Sequence, residues 1–223
     1  MRDGDGRPGL YRRAFPAAWL TDSLTLSADP VVPLLFAFSF SFFLRVSEYA
    51  KTNKGVILLR QHVSVVDGRL VVHIPESKVD QERRGSFHAR DGTGGPLCLV
   101  GLWRAYFAAH PRAGPDSPAF VFLDGRAVTD DAINGLIKSV AAARGADPLL
   151  YSSHSMRAGG ASALYAAGAD IALLIREGRW ASIEGLLKYL RMDPTAAAHF
   201  AGSMVQPAPH APLVDARGAV ASS

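Results

Sequence analysis

The tetrapeptide His154-Ser155-Met156-Arg157 sets an imidazole and a guanidinium three residues apart, on one face if the stretch is helical. A guanidinium holds a phosphate through two parallel hydrogen bonds, and a nearby imidazole donates a third or moves a proton. Gly159 and Gly160 follow, thinning the helix where another element can come close. In Leu44-Arg45-Val46-Ser47-Glu48 an arginine ends a long apolar run, with an acid three residues on. That arrangement suits a guanidinium buried by its scaffold and aimed at an anion, though it also describes an ordinary charged helix end. Near the other end of the chain, Tyr189 lies between Lys188 and Arg191, with Trp180 upstream in Gly178-Arg179-Trp180-Ala181-Ser182. A phenol, with a reference pKa of about 10, is a poor nucleophile unless cations stabilise the phenolate. Each of these pieces alone is also a common helix feature; their combination is what points to phosphate chemistry.

The elements that must position these residues are mostly helical. Asp29-Pro30 offers a capping carboxylate followed by proline, so a first core helix is expected from there to about Ala50. Val56–Leu59 and His62–Val66 are rich in branched residues, and Asp67-Gly68 separates HVSVV from RLVVHI as a tight hairpin turn would. Ser86–Ala89 adds a third short strand, and Lys78 sits at the exit of the hairpin. Further helices are expected over Pro96–His110, from Thr129-Asp130-Asp131 to Gly145, and over His154–Ala167, Asp170–Glu177 and Ser182–Arg191. The fold class is therefore mainly α with a small antiparallel sheet, the helices packing around the apolar run Val31–Leu44.

Composition sets outer limits. Hydrophobic residues make up 48 % of 223, which excludes a disordered chain and allows one sizeable core or two small ones. A formal net charge of +4 permits a polyanionic partner without demanding one. Cys98 is the single cysteine, so neither a disulfide framework nor a thiolate metal site can be built, and an intracellular protein with a buried thiol is expected. The run Val31–Leu44 is too short to span a bilayer and ends in charge, so a buried helix is expected in place of a membrane anchor. The sequence carries no glycine–lysine nucleotide loop and no clustered carboxylates of the kind that hold two metals, so no cofactor and no metal are expected.

Taken in order, LRVSE at Arg45, SKVDQ at Lys78, HSMRAGGAS at His154 and Arg157, GRWAS at Trp180 and KYLR at Tyr189 resemble the tyrosine recombinase, or phage integrase, family. Arg157 to Trp180 is 23 positions and Trp180 to Tyr189 is nine, and the resemblance covers about Leu34 to Met192. It implies the catalytic-core fold of that family over 29–193, with 1–28 a linker or the remnant of a DNA-clamping domain and 194–223 a terminal helix and partly disordered tail. The combination of GGAS with GRWAS is also similar to recombinases of DIRS-type mobile elements.

The resemblance also implies roles. Arg45 and Arg157 would bind the non-bridging oxygens of a scissile phosphate, and His154 would hydrogen-bond it. Lys78 would protonate the departing 5′ oxygen, with Lys51 and Lys54 as neighbouring alternatives. Trp180 would stand where most members carry histidine, donating a hydrogen bond but neither acid nor base. Tyr189 would be the nucleophile that forms a 3′-phosphotyrosyl bond. The implied partner is double-stranded DNA, met by a homotetramer on paired sites, in the nucleus or with the nucleoid, and not a membrane. A DNA-binding remnant without turnover and a type IB topoisomerase-like enzyme are the competing readings.

Overall fold

The computed structural model describes residues 12–51, 57–75 and 85–190; Lys54, Lys78 and everything from 191 onward lie outside the described residues. Within 1–28, read from sequence as linker or remnant, the chain from Arg12 onward is packed. The Phe15 amide donates to the Ser155 carbonyl at 2.9 Å, and the buried Phe15 ring meets Phe36 and Trp19 edge-on. A 3₁₀ segment, Ala17–Asp22, leads into the one-turn helix α1, Ser23–Leu26.

Helix α2, Val31–Ser41, opens on Asp29, whose Oδ1 accepts from the Val31 amide at 3.0 Å. Every residue from Val31 to Phe40 is buried, as befits a helix that is apolar all round. The expected single helix to Ala50 is instead broken. Phe43 takes a left-handed φ of 50°, and the chain restarts as α3, Val46–Tyr49, with Arg45 at its N-cap. A left-handed non-glycine residue costs roughly 1–2 kcal/mol, which burial of the Phe43 ring offsets. The break also leaves the Phe42 and Phe43 carbonyls without helical partners, so other donors must satisfy them.

The sheet has the order β1-β2-β3, all antiparallel: β1 is Val63–Val66, β2 Arg69–Ile74 and β3 Ser86–Asp91. Asp67 and Gly68 join β1 to β2 with φ of 48° and 74°, both positive as a two-residue hairpin turn requires. Leu70, Val72 and Ile74 alternate into the core. No strand forms over the described part of Val56–Leu59; Leu59 makes only an isolated bridge to Pro118.

Helices α4, Leu99–Ala109, α5, Asp130–Ala143, and α6, Ser153–Ala166, complete the main core. Helix α6 lies so close to α2 that a Cβ on Gly160 would sit 2.0 Å from the Phe40 carbonyl oxygen. Two short helices follow: α7, Ile171–Gly178, capped by Asp170, and α8, Ile183–Leu187, capped by Ser182. The helix expected to reach Arg191 stops at Leu187. Lys188 and Tyr189 form a turn, with the Tyr189 amide donating to the Leu186 carbonyl at 2.7 Å. A second, smaller apolar cluster joins Phe43, Ala161, Leu174, Trp180, Leu186 and Leu190. No helix among the described residues is long and apolar enough to cross a membrane.

Candidate active site

The site lies where the smaller cluster meets the break between α2 and α3. Arg157, one turn into α6, is 1 % exposed. Its Nη1 donates to the Phe43 carbonyl and its Nη2 to the Gly178 carbonyl, so it ties the helix break to the end of α7. Its guanidinium carbon stacks 4.3 Å above the Trp180 ring and 5.4 Å from the Tyr189 ring. The Trp180 and Tyr189 rings are themselves 5.5 Å apart. Gly178 permits this arrangement, since a Cβ there would overlap the folded-back indole at 1.6 Å. Nε of Arg157 and Nε1 of Trp180 are buried without a hydrogen-bond partner among the described residues.

Arg45 and Glu48 stand beside this stack. The carboxylate of Glu48 accepts from the Arg45 amide at 2.8 Å and from Arg45 Nη1 at 3.0 Å. A third guanidinium, unforeseen from the sequence, completes the group: Arg179 Nη2 donates at 2.8 Å to Glu48 Oε2, the oxygen that also accepts from the Arg45 amide. Burial pulls the Arg157 pKa below the usual arginine range, and the neighbouring Arg45 and Arg179 cations pull it further, against Glu48 and Tyr189. An arginine so shifted still carries its charge at neutral pH. Two guanidiniums thus share one carboxylate with that of Arg157 nearby, and the surplus is positive. Only the GRW triplet hinted at Arg179, and nothing in it announced burial.

His154 sits at the start of α6, exposed at the surface, and does not join the buried stack. Partial desolvation holds its pKa below the ordinary value, helped by Arg157 and Arg12 and opposed by Asp130. It is therefore neutral near pH 7, able to accept or donate a proton. Lys78 lies outside the described residues, as does Lys54; Lys51 is described, exposed, with its backbone bridged to Thr129. The structure thus brings Arg45, Arg157, Trp180 and Tyr189 together, sets His154 at their border, and is silent on Lys78.

A second polar group anchors the sheet. Glu177 on α7 pairs with Arg90 at 2.9 Å and His88 at 3.2 Å, both on β3, and Arg90 also donates to the Ser41 carbonyl at 2.8 Å. These bonds, the one from His88 foremost, bring the Glu177 carboxyl down to about 2. The last residues of α7, which lead to Arg179 and Trp180, are therefore clamped to the sheet.

No protein-family model matches the chain, and neither does any curated protein. Solved structures do. The XerA recombinase aligns over 91 % of this chain with a TM-score of 0.68 at 14 % identity. The XerH site-specific recombinase, in a post-cleavage complex with a palindromic difH substrate, aligns over 92 % with a TM-score of 0.64 at 13 % identity. The fold is that of a tyrosine recombinase catalytic domain. The Tn1549 transposon integrase, in complex with transposon right end DNA, shares it over 91 % of this chain, with a TM-score of 0.55 at 14 % identity. The chain spans 67 %, 60 % and 68 % of these three proteins respectively, so the shared recombinase fold accounts for nearly all of this chain and for only part of each of them.

Proposed function

We propose that this chain cuts and rejoins DNA through a phosphotyrosine, with Tyr189 as nucleophile. The observation that carries the reading is convergence. Arg45, Arg157, Trp180 and Tyr189 come from four separate stretches of sequence, and Arg157 stacks within 5.4 Å of both the tryptophan and the tyrosine. The proteins that share the fold are recombinases and an integrase, two of them in complex with DNA, which supports duplex DNA as the partner.

In this mechanism the Tyr189 oxygen attacks phosphorus as the bond to the 5′ oxygen breaks. The phenol proton leaves to a base near the site, a role open to neutral His154, and the departing 5′ oxygen takes a proton from Lys78. Charge gathers on the non-bridging oxygens, where fixed guanidiniums favour the transition state over the ground state. Two of the five N–H donors of Arg157 hold backbone carbonyls and fix its plane; Nε is among those left for a phosphate. The energy of the broken ester is kept in the phosphotyrosine, so a 5′ hydroxyl reverses the attack and no step consumes ATP. Action as a tetramer on paired sites belongs to the same proposal, as does residence wherever the cell keeps its DNA.

The test is a suicide substrate, a duplex nicked beside the target phosphate so that the cut strand diffuses away. Wild-type protein should become covalently linked to DNA on a denaturing gel, and Tyr189→Phe should not. An adduct that persists in that variant would overturn the assignment. Arg157→Ala should slow adduct formation by roughly 10²–10³-fold, as loss of a transition-state donor does.

A further inference from the structure

Arg179 is a buried cation of the site to which neither the sequence nor the mechanism above gives work. It is 7 % exposed and ends α7 in the left-handed conformation, with φ of 55°. Its side chain reaches back across the helix break. Nη2 binds Glu48 Oε2 at 2.8 Å, and Nη1 donates to the Glu177 carbonyl at 3.1 Å and to that of Phe42 at 3.4 Å. Its own carbonyl, turned by that backbone conformation, accepts from Arg45 Nη2 at 3.1 Å. The Arg45 guanidinium is thus held at two points, and Arg179 takes part in both: the Glu48 carboxylate, which Arg179 Nη2 and the Arg45 amide both bind, and the Arg179 carbonyl. Arg45 itself is a quarter exposed, and nothing else among the described residues hydrogen-bonds its fork.

We propose that Arg179 is a positioning residue: it locks Glu48, and through Glu48 and its own carbonyl it holds the Arg45 guanidinium in the orientation that grips the phosphate. This rests on the proposed strand-transfer reading. A single cation buried against Glu48 would satisfy that carboxylate, and Arg45 already does so. A second one, itself bonded to the Glu177 and Phe42 carbonyls, fixes where the carboxylate stands. Lysine cannot replace it fully, because an ammonium lacks the planar fork that meets Glu48 and the carbonyls at once.

The experiment compares Arg179→Gln, Arg179→Lys and Glu48→Gln with the wild type on the suicide substrate, at protein concentrations that saturate the DNA. Misplacing a reacting group by about 1 Å costs on the order of 100-fold, so Arg179→Gln should lower the rate of adduct formation by about that factor while the DNA dissociation constant stays within about threefold. Arg179→Lys should recover part of the rate. In an Arg45→Ala background, Arg179→Gln should cost little more, because its effect passes through Arg45. An equal loss in both backgrounds, or a loss of DNA affinity as large as the loss of rate, overturns the proposal. If Arg179→Gln does not fold, Arg179→Lys and Glu48→Gln carry the same comparison. A readout independent of cleavage is the ¹⁵N-arginine spectrum of DNA-free protein: the Arg45 side-chain signals should be ordered in the wild type and averaged in the variant. Unchanged Arg45 signals overturn the positioning role whether or not DNA is cut. Failure of the wild type to form any adduct, with Arg45 signals that do respond, refutes the strand-transfer reading and leaves the positioning contact standing.

Discussion

The closeness of α2 and α6 makes Gly160→Ala a sharp test of how the site is framed. The added Cβ would lie 2.0 Å from the Phe40 carbonyl oxygen and 2.7 Å from the nearest ring carbon of Phe43. Ordinary carbon contacts begin near roughly 3.5 Å, so the helices must part by about 1 Å or more. The nearest obstacle is backbone and cannot rotate away, which places the cost toward the upper end of overpacking, about 3 kcal/mol. Alanine returns about 1 kcal/mol through its better helix propensity. The net loss is about 2 kcal/mol, which for a chain of this size lowers the melting temperature by roughly 4–8 °C. Gly135→Ala in α5 is the control, because nothing lies within 4 Å of its Cβ, and it should raise stability by up to about 1 kcal/mol. Thermal and urea unfolding of both variants measure the contrast. Arg157 precedes Gly160 by one turn and is bonded to the Phe43 carbonyl across the same interface, so parting the helices displaces it. Adduct formation by Gly160→Ala should therefore fall by about 100-fold even well below its melting point. A Gly160→Ala protein that melts at or above the wild type would refute the close approach and the frame built on it.

Other consequences are simpler to check. The Glu177 carboxyl, held at about 2 against an ordinary 4.5, contributes stability above pH 4.5 that is lost as the pH falls from there through 2. Glu177→Gln should be less stable at neutral pH and flatter across that window; parallel acid unfolding of the two proteins would show that the sheet clamp is not ionic. Cys98 is half-buried, and backbone amides, that of Gly101 first, bring its thiol down to about 7. Its alkylation by iodoacetamide should rise with pH around a midpoint near 7, and a midpoint near the ordinary 9 would count against those amide contacts. Trp180→Ala removes a ring that is 7 % exposed and should cost about 3–5 kcal/mol, whereas Trp180→Phe keeps the stack on Arg157 and should cost much less. Equal losses in urea titrations would show that the indole face does not pack as described.

What the sequence made legible was local chemistry. Thr129, Asp170 and Ser182 mark helix starts because their side chains accept amide bonds that the helix itself cannot supply. Asp67-Gly68 marks the hairpin because few other pairs tolerate two positive φ angles. The break after α2 was not legible: Phe-Phe carries no turn signal, and Phe43 adopts a left-handed backbone only because tertiary packing holds it. Tyr189 falls within the helix expected over Ser182–Arg191, yet α8 ends at Leu187. A five-residue helix containing Gly185 has little propensity to extend, and packing of Trp180, Leu186 and Leu190 decides the path. Arg179 escaped notice for a like reason, since the partners that bury it lie more than 130 positions away along the chain.

The division of the apolar residues into two clusters gives the site a mechanical asymmetry. Arg45 and Arg157 leave from α3 and α6, next to the larger core built on α2. Trp180 and Tyr189 belong to the smaller cluster, which a few side chains of α7 and α8 hold together. Opening free energy scales with the apolar contact a segment must give up, so the turn that carries Tyr189 is cheaper to displace than the arginines beneath it. Arg157, at 1 % exposure, cannot meet a phosphate until something above it moves, and the rings over it are those of Trp180 and Tyr189. On the proposed mechanism, the element that shifts to admit DNA is the turn that carries Tyr189, while Arg45 and Arg157, the groups proposed to stabilise the transition state, stay fixed. That is the arrangement electrostatic catalysis requires, because preorganised donors favour charge development only if they do not reorganise when it arrives.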